Sequence, residues 1–467
     1  MSRRRKNYIE ENVEITGFAA EGKAFGKINN KIVFVPYAAP GDVVDVRIIR
    51  NKSSFLEGRI ERLVKSSSIR CATFCSHFGT CGGCRWQHIP YEKQLEYKQQ
   101  QVIEQLKHIG QIIPEITMPI MGSAATTEYR NKLEFTFSPR GWLTTEQLRS
   151  GLSFGPAIGF HMPGQFDKVL NLEQCRLQPD VSDRIRHAVK KFAHENNISF
   201  HNLTSHEGLL RTMTVRIANS GKIMLVIQFF YEDEESMEKI QAFIFENFSE
   251  VSSVAFIVNT KLNDSFEGVN VHRIYGSEFI TETMDGLQFR IGPLTFFQTN
   301  SRQALEMYRT VRDFCQLTGK ETVYDLYTGT GTIANFLAPH AGSVMGIEYI
   351  AEATEHAKVN ASINGITNTR FFHGDMKDVL TSDFFSVNGH PDVIVTDPPR
   401  AGMHPEVVNK LLKSEASRII YVSCNPATQA RDLKILNENY TVNKIQPIDM
   451  FPHTYHVENI ALLQKRP

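Results

Sequence analysis

The 467-residue sequence predicts a multidomain α/β protein: a small amino-terminal β-barrel, a central α+β domain and a carboxyl-terminal doubly wound parallel sheet. Three observations carry that expectation. Residues 8–67 alternate short β-rich runs with Gly and Pro, as small barrels do. From about Phe289 onward apolar runs alternate with helical stretches, the pattern of βα units. Between them, helical segments such as Tyr91 to His108 and Asp183 to Glu195 mix with strand-like ones such as Met213 to Ile217 and Ile223 to Ile227. With 41% hydrophobic residues, the chain is long enough for roughly two to four domains with real cores. The expected divisions are 1–67, 68–288 and 289–467.

The barrel runs include Val13-Glu14-Ile15, Lys31 to Val35, Val43 to Arg47 and Glu57 to Ile60. Gly22 to Ile28, followed by Phe34 to Asp42, resembles the TRAM module, an OB-like RNA-binding barrel. Lys23, Lys27 and Arg50 are interleaved there with Phe25, Tyr37 and Phe55, a mix of cations and stacking rings that suits single-stranded RNA. The formal net charge is +0, so a nucleic-acid partner must be held by local patches. Residues 1–70 hold 14 Lys and Arg against 8 Asp and Glu, and Arg3-Arg4-Arg5-Lys6 opens the chain as either a solvated tail or an RNA-facing arm. No apolar stretch has the length of a transmembrane helix, and Asn7, Glu10 and Glu11 stand where a signal peptide needs an apolar core. A cytoplasmic monomer without membrane or protein partner is expected. Seven cysteines, an odd number, argue against a disulfide framework and for metal or catalytic roles.

Four of those cysteines, Cys71, Cys75, Cys81 and Cys84, lie within fourteen residues, with Gly82-Gly83 between the last two. Glycines let backbone wrap around a metal and offer amides to sulfur. Thiolate-rich ligation fits zinc or an iron–sulfur cluster. The C-x5-C-x2-C spacing from Cys75 is one ligand short, and either Cys71 or Cys175, the best remote candidate, completes it. A radical S-adenosylmethionine enzyme would need C-x3-C-x2-C, which the gap after Cys75 does not provide.

Thr322 to Leu326 is a strand running into the glycine turn Tyr327-Thr328-Gly329-Thr330-Gly331, a weak signal common to nucleotide-binding α/β folds. Val344 to Glu348 is the next strand and ends in an acid of the type that accepts ribose hydroxyls. Asp392 to Thr396 ends in Asp397-Pro398-Pro399-Arg400-Ala401-Gly402, which puts Asp397 and a rigid turn at the sheet's ligand-binding edge. The apolar run Ile419 to Val422 ends in Ser423-Cys424-Asn425-Pro426. Cys424 is therefore placed either for chemistry at the same edge or as a buried inert thiol.

Asp-Pro-Pro-Arg-Ala-Gly at 397–402, Ser-Cys-Asn-Pro-Ala-Thr at 423–428 and His-Val-Glu-Asn at 456–459 together resemble the RNA uracil-5 methyltransferase family, and the resemblance covers nearly the whole chain. It implies a Rossmann-like class I methyltransferase domain, S-adenosylmethionine as methyl donor, Cys424 as nucleophile and Glu458 as the base that removes the carbon 5 proton. Carbon 5 of uracil is a poor nucleophile, and thiolate addition at carbon 6 generates the enolate that can be methylated. The resemblance further implies Gln298, Tyr327, Glu348 and Asp397 as cofactor contacts. It implies a 4Fe-4S cluster on Cys75, Cys81, Cys84 and Cys175 in the central domain. Thr332 departs from some relatives, which have Asn there. Tyr129-Arg130-Asn131-Lys132 resembles an RNA-contacting motif, so Arg130 and Lys132 are candidate RNA contacts; Phe296 either meets a flipped base or is core. Family members specific for tRNA typically lack both the barrel and the cluster, so 23S rRNA is the expected substrate and tRNA the alternative. A non-catalytic RNA-binding assembly factor is a reading of a different class, and a zinc-binding redox protein explains only the cysteines.

Overall fold

The computed structural model describes residues 8–263 and 268–467; the basic run Arg3 to Lys6 lies outside them. Strands Ile9–Phe18, Ala24–Ile28, Lys31–Val35, Val43–Asn51 and Phe55–Lys65 close into a barrel. Its filling is aliphatic and mostly β-branched: Val13, Ile15, Val33, Val35, Val44, Val46, Ile48 and Leu56 pack around Ala24. Among the described residues no helix is long and apolar enough to cross a membrane.

The central unit is a seven-stranded mixed sheet in the order Val271–Gly276, Val251–Val258, Ile223–Phe229, Leu210–Ile217, Lys132–Ser138, Ala157–Met162, Gln165–Asn171. Helices Val181–Glu195 and Glu234–Asn247 meet through stacked Phe192 and Phe243. Ile223–Phe229 is buried throughout. Its side chains alternate: Leu225 and Ile227 join the core shared with the two helices, Met224 and Val226 the core shared with the carboxyl-terminal unit. Both faces of that strand are therefore covered, as its unbroken apolar run requires.

The carboxyl-terminal sheet contains β1 (Thr322–Leu326), β2 (Ser343–Glu348), β3 (Thr369–His373), β4 (Val393–Thr396), β5 (Arg418–Ser423), β6 (Tyr440–Ile448) and β7 (Glu458–Lys465). The spatial order is β3-β2-β1-β4-β5-β7-β6, with β1 to β5 parallel and β7 antiparallel to both neighbours. An eighth strand, Ile116–Thr117, joins the β6 edge from the central stretch of sequence. Helix α1 (Tyr91–Gln105), continued by a wide turn to Gly110, also packs here, with Val102 and Leu106 in the same core as Tyr421 and Ile445. Phe289 does not begin a βα unit. It lies in the antiparallel hairpin Ile280–Met284 and Leu287–Ile291, because Asp285 and Gly286 both take positive φ in a two-residue turn, the arrangement that an Asp-Gly pair favours. The first βα unit starts at Thr322.

The cysteine-bearing segment has no regular structure and lies between the barrel and α1. Trp86 anchors it: its ring packs against Phe18 and Tyr97, and its indole N–H donates to Gly22 O at 3.1 Å.

Candidate active site

At the carboxyl end of β1 the chain turns sharply into the helix Thr332–Leu337. Tyr327, Gly329 and Gly331 all have positive φ. A Cβ on Gly331 would sit 2.8 Å from the Ala357 methyl, so only glycine fits there. Buried Asp325 braces the turn, accepting from the Thr328 hydroxyl and from Ala334 N–H. Burial pushes its carboxyl up to about 7. Glu348, at the end of β2, accepts from Gly329 N–H and from Ile350 N–H, each at 2.9 Å. Its carboxylate thus faces the glycine turn, within reach of a ligand on that edge. Burial pushes the Tyr327 phenol up to about 12.

Two strands away, register decides what meets. Ser423 of β5 pairs with Asn459 of β7, so the next step along the two antiparallel strands sets Cys424 opposite Glu458, on one face of the sheet. Glu458 is 6% exposed. Burial first, then the neighbouring Asp397, pushes its carboxyl up to about 8, against the pull of Arg400. The Cys424 thiol is half-buried and is pushed up to about 11 by burial, Glu458 and Asp397, with Arg400 again opposing. Asp397 directly follows β4, and burial pushes it up to about 7. Arg400 O accepts from the Asn425 amide at 3.0 Å and the Thr428 hydroxyl at 3.2 Å. These bonds tie the Asp-Pro-Pro-Arg turn to the turn that carries Cys424. Asn425 also caps helix α2 (Pro426–Leu436) through Ala427 N–H. The edge thus gathers a thiol, three carboxyls held toward their neutral forms and one guanidinium. Such a set can supply a nucleophile and a base, and the guanidinium favours charge on either.

Of the other residues singled out in the sequence, Gln298 is half-buried, and its backbone carbonyl accepts from the Asn131 amide at 2.8 Å. Phe297 enters the core, and Phe296 is 71% exposed. Arg130 is half-buried, with its guanidinium carbon 5.1 Å from the Phe451 ring and a buried Nε that has no hydrogen-bond partner. Lys132 pairs across strands with Arg216. Burial and that guanidinium lower its ammonium pKa.

Cys75, Cys81, Cys84 and Cys175 line one cavity, together with Phe78, Phe160 and Leu172. Exposed Cys71 does not line it; its thiol donates to Gln87 O. Burial raises the Cys81 thiol, pushes Cys84 up to about 11 and Cys175 up to about 12. A single tetrahedral zinc with 2.3 Å bonds needs sulfurs about 3.8 Å apart. Among the described residues, the one group of three potential ligand atoms within 4.8 Å of one another is Glu232, Glu234 and His272. No three of the four thiols lie within that 4.8 Å of one another, a wider spread than one tetrahedral zinc requires.

Far from Cys424 in sequence, the cysteine segment is close to this site in space. Arg85 and Trp86 N–H both donate to His453 O, at 2.8 and 3.0 Å, five residues before Glu458. The sequence reading missed Asp325, the electrostatic part of Arg400, and a buried ion pair between Lys98 and Asp449. That pair spans 351 residues and leaves no local signal.

A family model described as tRNA (Uracil-5-)-methyltransferase matches residues 269–466, and a TRAM domain model matches residues 4–60. An uncharacterized RNA methyltransferase of Bacteroides thetaiotaomicron is 51% identical over 96% of this chain and 100% of its own length. One from Porphyromonas gingivalis is 49% identical over 97% and 99%. Among solved structures, the Pyrococcus abyssi tRNA (uracil-54, C5)-methyltransferase in complex with S-adenosyl-L-homocysteine superposes with a TM-score of 0.75 at 29% identity. It covers 97% of this chain and 100% of that one.

Proposed function

Since this chain belongs to the RNA uracil-5 methyltransferase family, whose members are S-adenosylmethionine-dependent RNA methyltransferases, we propose that it methylates carbon 5 of a uridine in 23S rRNA through a covalent Cys424–uracil intermediate. The observation that carries this reading is the β5–β7 register, which sets Cys424 and Glu458 side by side at the edge where Asp397 directly follows β4. In the proposed sequence the Cys424 thiolate adds to carbon 6, and the ring's double-bond electrons move to carbon 5, which becomes nucleophilic. Bound S-adenosylmethionine supplies the electrophilic methyl group. Glu458 then takes the carbon 5 proton, the double bond re-forms and Cys424 leaves as thiolate. A carboxyl raised to about 8 is a stronger base, once ionised, than an ordinary carboxylate, and it is partly ionised near neutrality. Arg400 supports the thiolate against the two neighbouring acids.

Gln298, Tyr327, Glu348 and Asp397 are the residues proposed to hold the methyl donor, with Glu348 on the ribose hydroxyls. Cys75, Cys81, Cys84 and Cys175 are proposed to hold a 4Fe-4S cluster. Bound there, the cluster supplies a cross-link between the 75–84 turns and residue 175. Arg130, Lys132 and Phe296 are proposed RNA contacts, with exposed Phe296 the best placed to meet a base. A second reading takes tRNA as the substrate. It is favoured by the Pyrococcus abyssi structure, named a tRNA methyltransferase, whose alignment covers 97% of this chain.

The test mixes the protein and S-adenosylmethionine with 5-fluorouridine-substituted 23S rRNA fragments or tRNA, for the wild type and Cys424→Ala. Fluorine at carbon 5 cannot leave as a proton, so a denaturation-resistant adduct is expected with 23S fragments in the wild type alone. An adduct with tRNA alone moves the substrate to the second reading. No adduct with either RNA refutes the covalent mechanism.

A further inference from the structure

The nine residues 449–457 connect β6 to β7, and the strand register Ile448–Glu458 closes that connection at its base. Within the loop Phe451 N–H donates to Asp449, the Thr454 N–H and hydroxyl donate to Phe451 O, and His456 N–H donates to the Thr454 hydroxyl oxygen. The loop is also held from outside by α1, and its first residue is held most firmly. Asp449 Oδ1 lies 2.6 Å from Lys98 Nζ of α1, and both side chains are 0% exposed. Lys98 also donates to Phe451 O at 3.1 Å. Asp449 Oδ2 accepts from the Tyr91 hydroxyl at 2.8 Å, and Oδ1 accepts from Phe451 N–H at 2.9 Å. Four residues on, His453 N–H donates to Gln94 Oε1 at 2.8 Å. One face of α1 thus grips the loop at residues 449, 451 and 453.

We infer that the Lys98–Asp449 pair is a positioning device that holds the Glu458 carboxyl over the reacting carbon for the final proton removal, an inference that rests on the function proposed above. The packing of α1 does not need a charge here, because Val102 and Leu106 already bury it against the sheet. A buried ion pair is often no more stabilising than apolar residues of the same shape. It differs from them in being directional. It fixes the loop's entry one residue past the register partner of Glu458. The field of Lys98 also reaches His456, two residues before Glu458, where it adds to those of Arg400 and Arg130. Lys98 and Asp449 touch no reacting atom. They act through Glu458, so their loss should affect the step that uses it and spare the step that uses Cys424.

The predicted signature is a covalent complex that forms normally and resolves slowly. Glu458 accepts the carbon 5 proton, the C–H electrons restore the C5–C6 double bond and the C6–S bond breaks to release the thiolate. Displacing the base slows this and leaves Cys424 bound to methylated uracil. Rapid-quench assays with unsubstituted RNA compare wild type with Lys98→Met and with Lys98→Met/Asp449→Leu. The double variant leaves no unpaired buried charge and so tests the idea even if the single variant fails to fold. Adduct formation is expected at close to the wild-type rate, resolution slower by about tenfold to a hundredfold, and adduct accumulation on ordinary uridine. Amides of residues 450–457 should exchange faster. Folded variants that resolve the adduct at the wild-type rate, or that lose formation and resolution equally, overturn the inference. A wild type that forms no adduct even with 5-fluorouridine RNA removes the chemistry on which it rests, and so overturns it by a different result.

Discussion

Glu458→Gln removes one titrating carboxyl from a site where burial and Asp397 hold it at about 8, against 4.5 for an ordinary glutamate. Between those values the folded protein keeps a proton that the unfolded chain has released. Stability of the wild type therefore falls as pH rises through this window, by about 1.4 kcal/mol per pH unit for this group. Glu458 is 6% exposed, so solvent screens little of it, and the whole window amounts to about 5 kcal/mol. Glutamine does not titrate. The variant should thus gain on the wild type steadily from pH 5 to pH 8. Asp325, near 7, is present in both proteins and cancels from the difference to first order, whereas Asp397 loses the repulsion of Glu458 in the variant. The assay is urea unfolding at several pH values, followed by amide exchange in β7 so that the reporting unit is the one holding the residue. With a slope of about 3 kcal/mol per molar urea, the difference in midpoints should grow by about 0.5 M per pH unit. A difference that stays flat with pH, or a variant that loses ground as pH rises, refutes the account of Glu458 as a buried, raised-pKa carboxyl.

Cys175→Ser should lose iron from anaerobically purified protein, and Cys71→Ser should keep it, because Cys175 lines the four-thiol cavity and Cys71 faces solvent; iron content that follows Cys71 instead refutes the ligand set. Gly331→Ala places a side chain at φ +74 and 2.8 Å from the Ala357 methyl. It should cost at least about 1–2 kcal/mol from the backbone alone and weaken S-adenosylmethionine binding measured by calorimetry. Unchanged affinity would show that the glycine turn does not shape that site.

Much of the architecture was legible because its signals are local. Short runs broken by Gly22, Pro36, Pro40 and Gly41 mark the barrel, and the run Ile419 to Val422 marks a strand buried on both faces. The Asp285-Gly286 turn is equally local, but the apolar Phe289 run after it has the look of a βα strand and pairs back across that turn instead. Other features have no local trace. Ile116–Thr117 adds a strand to a sheet whose other members begin two hundred residues later. The grip of Arg85, Trp86 and Lys98 on residues 449–457 depends on how three units pack.

The sequence by itself determined which chemical groups are available: Cys424, Glu348 and Asp397 at the ends of strands, glycines where backbone must come close to a ligand, and four thiols able to bind metal. Side-chain identity and periodicity are enough for that, since strand ends follow from where apolar runs stop. Only the tertiary structure decided which of these groups meet and in what ionisation state. Antiparallel register brings Glu458 to Cys424, and burial beside Asp397 lifts its carboxyl far above the ordinary range. The physical reason is that a pKa belongs to an environment, set by desolvation and by charges from distant parts of the chain, and that environment exists only once the sheet has closed.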